Sequence, residues 1–202
     1  MSSRPASHRP SGLARREALL RAALEIVAER GVGGATHRAI AERAGLPAST
    51  TTYFFETIDD LILEALRFHA TERVAQLELV SDEIARLELT PAAIAELFAG
   101  TLVATPEGAQ VAQFEAYLEA TRRSQEARAA ARDVMDAFQR LVIAALTAAG
   151  LADPEHAAPA FLALADGFSM QRVVRGPHDD DATRLADGFE RLFEAYAAAP
   201  RT

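Results

Sequence analysis

The chain has 202 residues, half of them hydrophobic and none of them Cys. That is enough for one large domain or two small ones with a sizeable core, and it excludes disulfides, thiolate metal sites and thiol nucleophiles. The net charge of −8 argues against a general nucleic-acid binder, yet residues 1–55 carry eight Arg against four Glu, and the remainder thirteen Arg against twenty-five acids. A basic front on an acidic body implies that only the front meets a polyanion. All basic residues are Arg and none is Lys, which we ascribe to GC-rich coding, since Ala is abundant too. No apolar run approaches the ~20 residues of a membrane span, and "MSSRPASHRPSG" lacks the apolar stretch of a signal peptide. The expectation is a soluble, cytoplasmic protein.

Residues 1–11 are polar and rich in Pro and Ser, and read as a flexible arm. Beyond them no strand-like alternation occurs, and helical spacing recurs throughout. Leu20, Ala23, Leu24 and Val27 form a stripe that predicts a helix over about 13–30, stopped by Gly31 and Gly33-Gly34. Thr36 caps a short helix at about 37–44, and a second short one follows at about 48–54. Thr57, with Asp59 and Asp60 facing the positive helix end, opens a long helix over about 58–85, striped by Ile62, Leu66, Ala70, Val74 and Leu77. Thr90-Pro91 and Thr105-Pro106 place a capping residue before proline and start helices at about 91–103 and 107–123. Val134, Phe138, Leu141, Val142 and Ala145 mark a helix at about 125–149, ended by Gly150. Asp153-Pro154 opens another at about 154–174, ended by Gly176. Leu185, Phe189, Leu192, Phe193 and Tyr196 mark the last, at about 180–197. The fold class is all-α, with about nine helices.

The two short helices pose the functional question. Isolated helices of under ~12 residues are marginal, so packing must hold them. In "THRAIAERAG", Ile40, Ala41 and Ala44 share a face. Gly45 permits a left-handed backbone, Leu46 is an apolar plug, and Pro47 cannot continue the helix. "ASTTTYFF" then starts again. This is a helix-turn-helix pattern with its second helix presented outward. Threonine is a mediocre helix former, but short hydroxyl side chains let a backbone approach DNA, donate to phosphates and touch base edges. By spacing from Leu46 and Phe54, Thr51 points inward while Thr50, Thr52 and Tyr53 point outward. Phe54 and Phe55 read as core. Arg4, Arg9, Arg15 and Arg16 read as a minor-groove arm or, equally, as a tail with stray charges.

The run "THRAIAERAGLPASTTTYFFETIDDLILEAL" resembles the DNA-binding segment of the TetR family of bacterial transcriptional regulators, over about residues 13–66. "ERGVGGAT", "IAERAG", an aromatic pair and an acidic "DDL" follow in the same order and spacing. Two departures stand out. Family members often carry Tyr at the place of Thr52, and a phosphate-holding Lys at the place of Ile58. The resemblance implies a helix-turn-helix domain over 12–56 and an effector-binding and dimerisation domain over 57–202. It implies a homodimer on a palindromic double-stranded operator, paired through the last two helices, about 154–198, and released by a small molecule. Carried over by position, Thr36, His37, Arg38, Thr50 and Tyr53 are candidate DNA-backbone contacts, and Arg38, Ala48, Ser49 and Thr52 candidate base contacts. For the effector, Phe98, Phe114, Tyr117, Met135, Phe138, Phe168 and Gln171 are candidate ligand residues, although such residues at helical spacing are ordinarily core.

The last two helices carry apolar residues on more than one face: Phe161, Leu162, Leu164 and Phe168 in one, Leu185, Phe189, Leu192 and Phe193 in the other. The excess must be buried against a partner, with Phe189 as a seam residue. Gln110, Gln113, Glu115, Glu119, Gln171 and Arg172 interrupt apolar helices and are expected mostly on solvent faces or at the dimer interface. A charged pocket would draw on Glu115, Glu119, Gln171 or Arg172. "PHDDD" at 177–181 reads as a solvated helix cap rather than a metal site, because its acids are neighbours in one loop. "GVGGAT" lacks the Lys of a phosphate loop. No nucleophile elbow and no His beside a clear partner support catalysis, and no cofactor is implied. The expectation is a ligand-released transcriptional repressor. The alternatives are a regulator working as an activator or through a protein partner, and a helical ligand carrier or enzyme whose basic front is incidental.

Overall fold

The computed structural model describes residues 12–198; the predicted arm at 1–11, with Arg4 and Arg9, lies outside the described residues. Among the described residues there are nine α-helices and no strand: α1 Gly12–Arg30, α2 His37–Arg43, α3 Ala48–Phe54, α4 Ile58–Ile84, α5 Pro91–Ala104, α6 Glu107–Arg123, α7 Gln125–Ala148, α8 Pro154–Arg175 and α9 Asp181–Ala198, with one 3₁₀ turn at Val32–Gly34. Each stands within a residue or two of its predicted span.

The ends are set locally. The hydroxyls of Thr36, Thr90 and Ser124 and the carboxylate of Asp153 accept from the backbone N–H three residues on, at 3.1–3.2 Å. Thr57 and Asp60 cap one another: Asp60 N donates to Thr57 Oγ1 at 3.0 Å, and Thr57 N to Asp60 Oδ2 at 3.1 Å. Gly45 takes φ 66° between α2 and α3, a region costly for any residue with a Cβ.

The chain divides into two compact units, one ending at His69 and one starting at Ala70, so the division falls within α4. In the first unit α2 packs on α1 and on α3. Leu19, Leu20, Ala23, Ile26, Ile40, Leu61 and Ile62 are all but inaccessible. Arg43 ties α2 to α1 through Glu25 at 3.0 Å and Glu29 at 2.6 Å.

In the second unit α5 packs on α9, and α7 on α6 and α8. Phe161 stacks on Phe189 at 5.7 Å, and Phe98 meets Phe189 edge-on at 5.6 Å. Around them sit Ala95, Ala99, Leu146, Leu151, Ala157 and Leu185. Two expectations are corrected here. Phe189 is 2% exposed within a single subunit, so it is core and not a seam residue. Asp181 of "PHDDD" is not solvated: it is buried, accepts from His178 N at 2.9 Å and pairs with Arg172 at 3.2 Å. Among the described residues no group of acids or His is placed to hold a metal ion, and no helix is long and apolar enough to cross a membrane.

Candidate functional site

The first site is the outer face of α3. Thr51 is 0% exposed and donates to Ala48 O at 2.7 Å; its methyl fills the place of a larger aliphatic. With Thr51 inward, Ala48, Ser49, Thr52 and Tyr53 are all exposed, and their spacing of three and four residues puts them on one face. Thr50 is half-buried at its edge. Tyr53, 80% exposed, leans edge-on against Phe54 at 4.9 Å, so an aromatic stands in solvent with one ring edge held. Phe55 is core as expected, while Phe54 is only half-buried.

At the start of α2, Thr36 is exposed, and its hydroxyl keeps a proton to donate while accepting from Ala39 N. His37 is half-buried, and its Nδ1 is enclosed without a partner. Arg38 is exposed and makes no hydrogen bond or ion pair among the described residues. The other arginines of this unit are mostly spent internally. Arg16 pairs with Glu64 and lies 5.4 Å from the Phe55 ring, Arg21 pairs with Glu17, and Arg43 with two glutamates. The guanidinium of Arg43, chiefly through its hydrogen bond to Glu29, holds that carboxyl below the usual range. Arg15 and Arg16 belong to α1 and not to an arm.

The second site is a cavity of about 260 Å³ wholly within the second unit. It lies among the later turns of α4 and helices α5 to α9. Of the predicted ligand residues, Phe98, Phe114, Tyr117, Met135 and Phe138 line it. Phe168 packs into the neighbouring core and Gln171 is exposed, so neither lines it. None of Glu115, Glu119 and Arg172 lines it either; Glu119 is paired with Arg123 at 2.6 Å. Its charged groups are Arg73 from α4 and Asp166 from α8. Gln110 and Gln113, expected mostly toward solvent or a partner, line the cavity instead. Gln110 is buried and donates to Leu102 O at 2.8 Å; Gln113 donates to the Tyr117 hydroxyl at 3.1 Å. Burial pushes the Tyr117 hydroxyl up from its ordinary value; Asp166 is exposed as a residue, and it is the partial enclosure of its carboxyl on the cavity side that pushes that group up.

The chain matches the family profile described as "Bacterial regulatory proteins, tetR family" over residues 19–65, and that of "Tetracyclin repressor-like, C-terminal domain" over residues 89–197. The chain belongs to the TetR family. Among solved structures it is similar to a TetR family member from Streptomyces coelicolor A3, at 26% identity and TM-score 0.66, with 91% of this chain and 98% of that one covered. It is also similar to the multidrug binding protein EbrR, complexed with proflavin (28% identity, 88% and 99% covered, TM-score 0.62) and with ethidium (27%, 88% and 98%, TM-score 0.65). No curated protein matches it.

TetR-family chains are transcriptional regulators that bind DNA and small molecules, typically as dimers. Here the DNA-binding domain is N-terminal and the ligand-binding domain C-terminal. Sequence reasoning missed Asp166 and Arg73 as cavity residues. The signal at Asp166 was faint: one acid inside "FLALADGFSM", with Leu162 and Met170 four residues away on either side.

Proposed function

We propose that the chain is a cytoplasmic repressor that binds a palindromic operator as a homodimer and is released by a small, largely apolar molecule held in the cavity. Residues 12–56 serve as its DNA-binding part, and residues from 57 on as its effector and dimerisation part. The observation that carries this is the exposed α3 face, Ala48, Ser49, Thr52 and Tyr53, beside an uncommitted Arg38. Small side chains at 48 and 49 let the helix enter a major groove closely; Ser49 and Thr52 then reach base edges, and Arg38 a base or phosphate. Thr36, His37, Thr50 and Tyr53 fasten the backbone on either side. Ile58 cannot hold a phosphate, which leaves more of that work to Arg38.

Dimerisation is ascribed to the last two helices. α8 shows an exposed stripe of Pro159, Ala163, Gly167, Met170 and Val174 at helical spacing, apolar and narrow enough for close helix approach. The similarity to EbrR, solved with two different aromatic compounds, supports a small-molecule effector. Coupling is ascribed to α4. It begins after Glu56 and Thr57, directly following the reading helix, and its later turns supply Arg73, Val80 and Ile84 to the cavity. A ligand that prefers one tilt of α4 shifts the population toward it. The test is fluorescence anisotropy of the intact chain on the DNA upstream of its own gene. Selective, salt-sensitive binding is expected; equal affinity for a scrambled duplex would exclude the reading.

A further inference from the structure

We infer that the cavity holds a linear carboxylate, its head on the Arg73 guanidinium beside Tyr117 and Gln113 and its alkyl chain lying along α4. This rests on the reading of the C-terminal part as the effector-binding part.

The shape comes from α4. Arg73, Val80 and Ile84 all line the cavity. A helix rises about 1.5 Å per residue, so the cavity follows α4 for about 16 Å. A space of about 260 Å³ drawn out over that length is a slot rather than a chamber. An extended alkyl chain advances about 1.3 Å for each single bond of about 1.5 Å, so about twelve carbons span it.

Polarity is sorted along the slot. At one end Ile84 clusters with Phe98 and Leu141, all apolar. At the other, Arg73 lies 5.0 Å from the Phe138 ring centroid, and Phe138 and Tyr117 pack on one cluster. Gln113 Nε2 donates to the Tyr117 hydroxyl there at 3.1 Å. After burial and the Gln113 bond, the charges that act on that hydroxyl are Asp166 and Arg73, so both stand at this end.

The donors at the polar end are unspent. Arg73 is half-buried and makes no hydrogen bond or ion pair among the described residues. The Gln113–Tyr117 bond leaves at least one N–H or O–H of the pair over, whichever way the amide is turned. A guanidinium fork with a second donor beside it matches the two oxygens of a carboxylate. Gln110 takes no part: its NH₂ is committed to Leu102 O and its Oε1 is enclosed.

Asp166 is the competing charge. It is exposed, so water screens its field, whereas Arg73 is half-buried. An amine head would be drawn to Asp166, but it would meet Arg73 as a like charge and leave the donors unmatched. A carboxylate head also falls on the helix that follows the reading helix. Drawing Arg73 off Phe138 would pull on α4 itself.

The experiment titrates octanoate, decanoate, dodecanoate and tetradecanoate into the intact protein, below their micellar range, with decanol and decylamine as the neutral and cationic heads. Operator affinity is measured in parallel. Binding should tighten about fourfold per added CH₂ up to dodecanoate and level off at tetradecanoate. Decanoate should bind about tenfold tighter than decanol, with decylamine weakest. Arg73→Gln should bring decanoate and decanol to within about twofold of each other. Leu97, beside Phe98, is 45% exposed and lines the cavity, so Leu97→Trp should fold, shorten the slot and move the levelling point to a shorter chain, with octanoate unchanged. Decylamine binding tightest, an affinity that does not grow with chain length, a levelling point unmoved by Leu97→Trp, or a decanoate preference that survives in Arg73→Gln would overturn the inference. If a variant does not fold, the order of the heads and the length series on the native chain still decide. If none binds a protein that holds its operator, the carboxylate site fails while the regulator stands. If decanoate binds as described but operator affinity does not move, the carboxylate site stands and ligand release fails.

Discussion

At the scale of single residues, what divides the arginines of the first unit is whether an acid already holds them. Arg43 is pulled between Glu25 and Glu29, whereas Arg38, five residues earlier, has no partner among the described residues. Arg38→Ala should therefore weaken operator binding by about 1–3 kcal/mol and relax specificity at one base, with an unchanged melting temperature. Arg43→Ala should do the reverse, lowering the melting temperature while leaving the base preference of the folded protein intact. Thr52→Ala should alter base preference at one position, read by competition among variant operators. Asp166 gives a pH prediction. Its carboxyl is raised by burial above the ordinary 3.8, so the folded state holds the proton more tightly than the unfolded one. The ionised side chain is then a cost to stability above that raised value, and the cost is relieved as pH falls through it. Asp166→Asn should melt above the native chain at neutral pH, with the difference shrinking toward acid. The other titratable groups lining the cavity are Arg73 on α4 and Tyr117 on α6, whose hydroxyl burial pushes up and away from that range. Much of this residue-level detail was not legible beforehand. Which arginine finds an acid, and which acid lines a cavity, depends on residues distant in sequence: Arg16 meets Glu64, and Gln110 and Asp166 share one cavity.

At the scale of elements the sequence was legible almost throughout, because helix ends are local events. A hydroxyl or carboxylate three residues before a free N–H, a proline in the first turn and a glycine at positive φ each act within a turn of chain; Thr36, Thr90, Asp153 and Gly45 do so where expected, whereas Thr105 does not cap α6 but ends α5, its hydroxyl donating to Thr101 O at 2.8 Å. The inward turn of Thr51 followed from spacing alone. Phe189 did not. α9 carries apolar residues over a wide arc, and periodicity cannot say whether an apolar side chain enters its own subunit's core or a partner's. The structure puts Phe189 between Phe98 and Phe161, so Phe189→Ala should destabilise the subunit by about 3–5 kcal/mol by denaturant titration. On the proposed reading the seam lies instead on the exposed stripe of α8. Val174, 76% exposed, and Met170, 44% exposed, are costly to leave in water on one helix face. Met170→Glu combined with Val174→Glu should sediment as a folded monomer that binds operator poorly. An unchanged dimer would move the seam elsewhere.

At the scale of the whole molecule, the proposed function needs two copies of the α3 face. Reading helices that enter successive major grooves must stand about 34–36 Å apart, so a small tilt of α4 in each subunit spoils both contacts together. A ligand favouring the tilted form is worth the difference between its two affinities, typically ~1–3 kcal/mol. Operator binding should fall steeply with salt, since arginine contacts displace counterions from the phosphates. The most direct measurement is selection of DNA from a random pool by the intact protein, followed by affinity measurement of the selected site for the native chain and for a Ser49→Ala, Thr52→Ala double variant. The expected result is an inverted repeat with half-sites separated by about one helical turn or a multiple of it, bound many-fold more weakly by the variant. A pool that yields no repeated sequence, or a site that the variant binds as tightly as the native chain, would contradict the assignment of α3 as the reading helix.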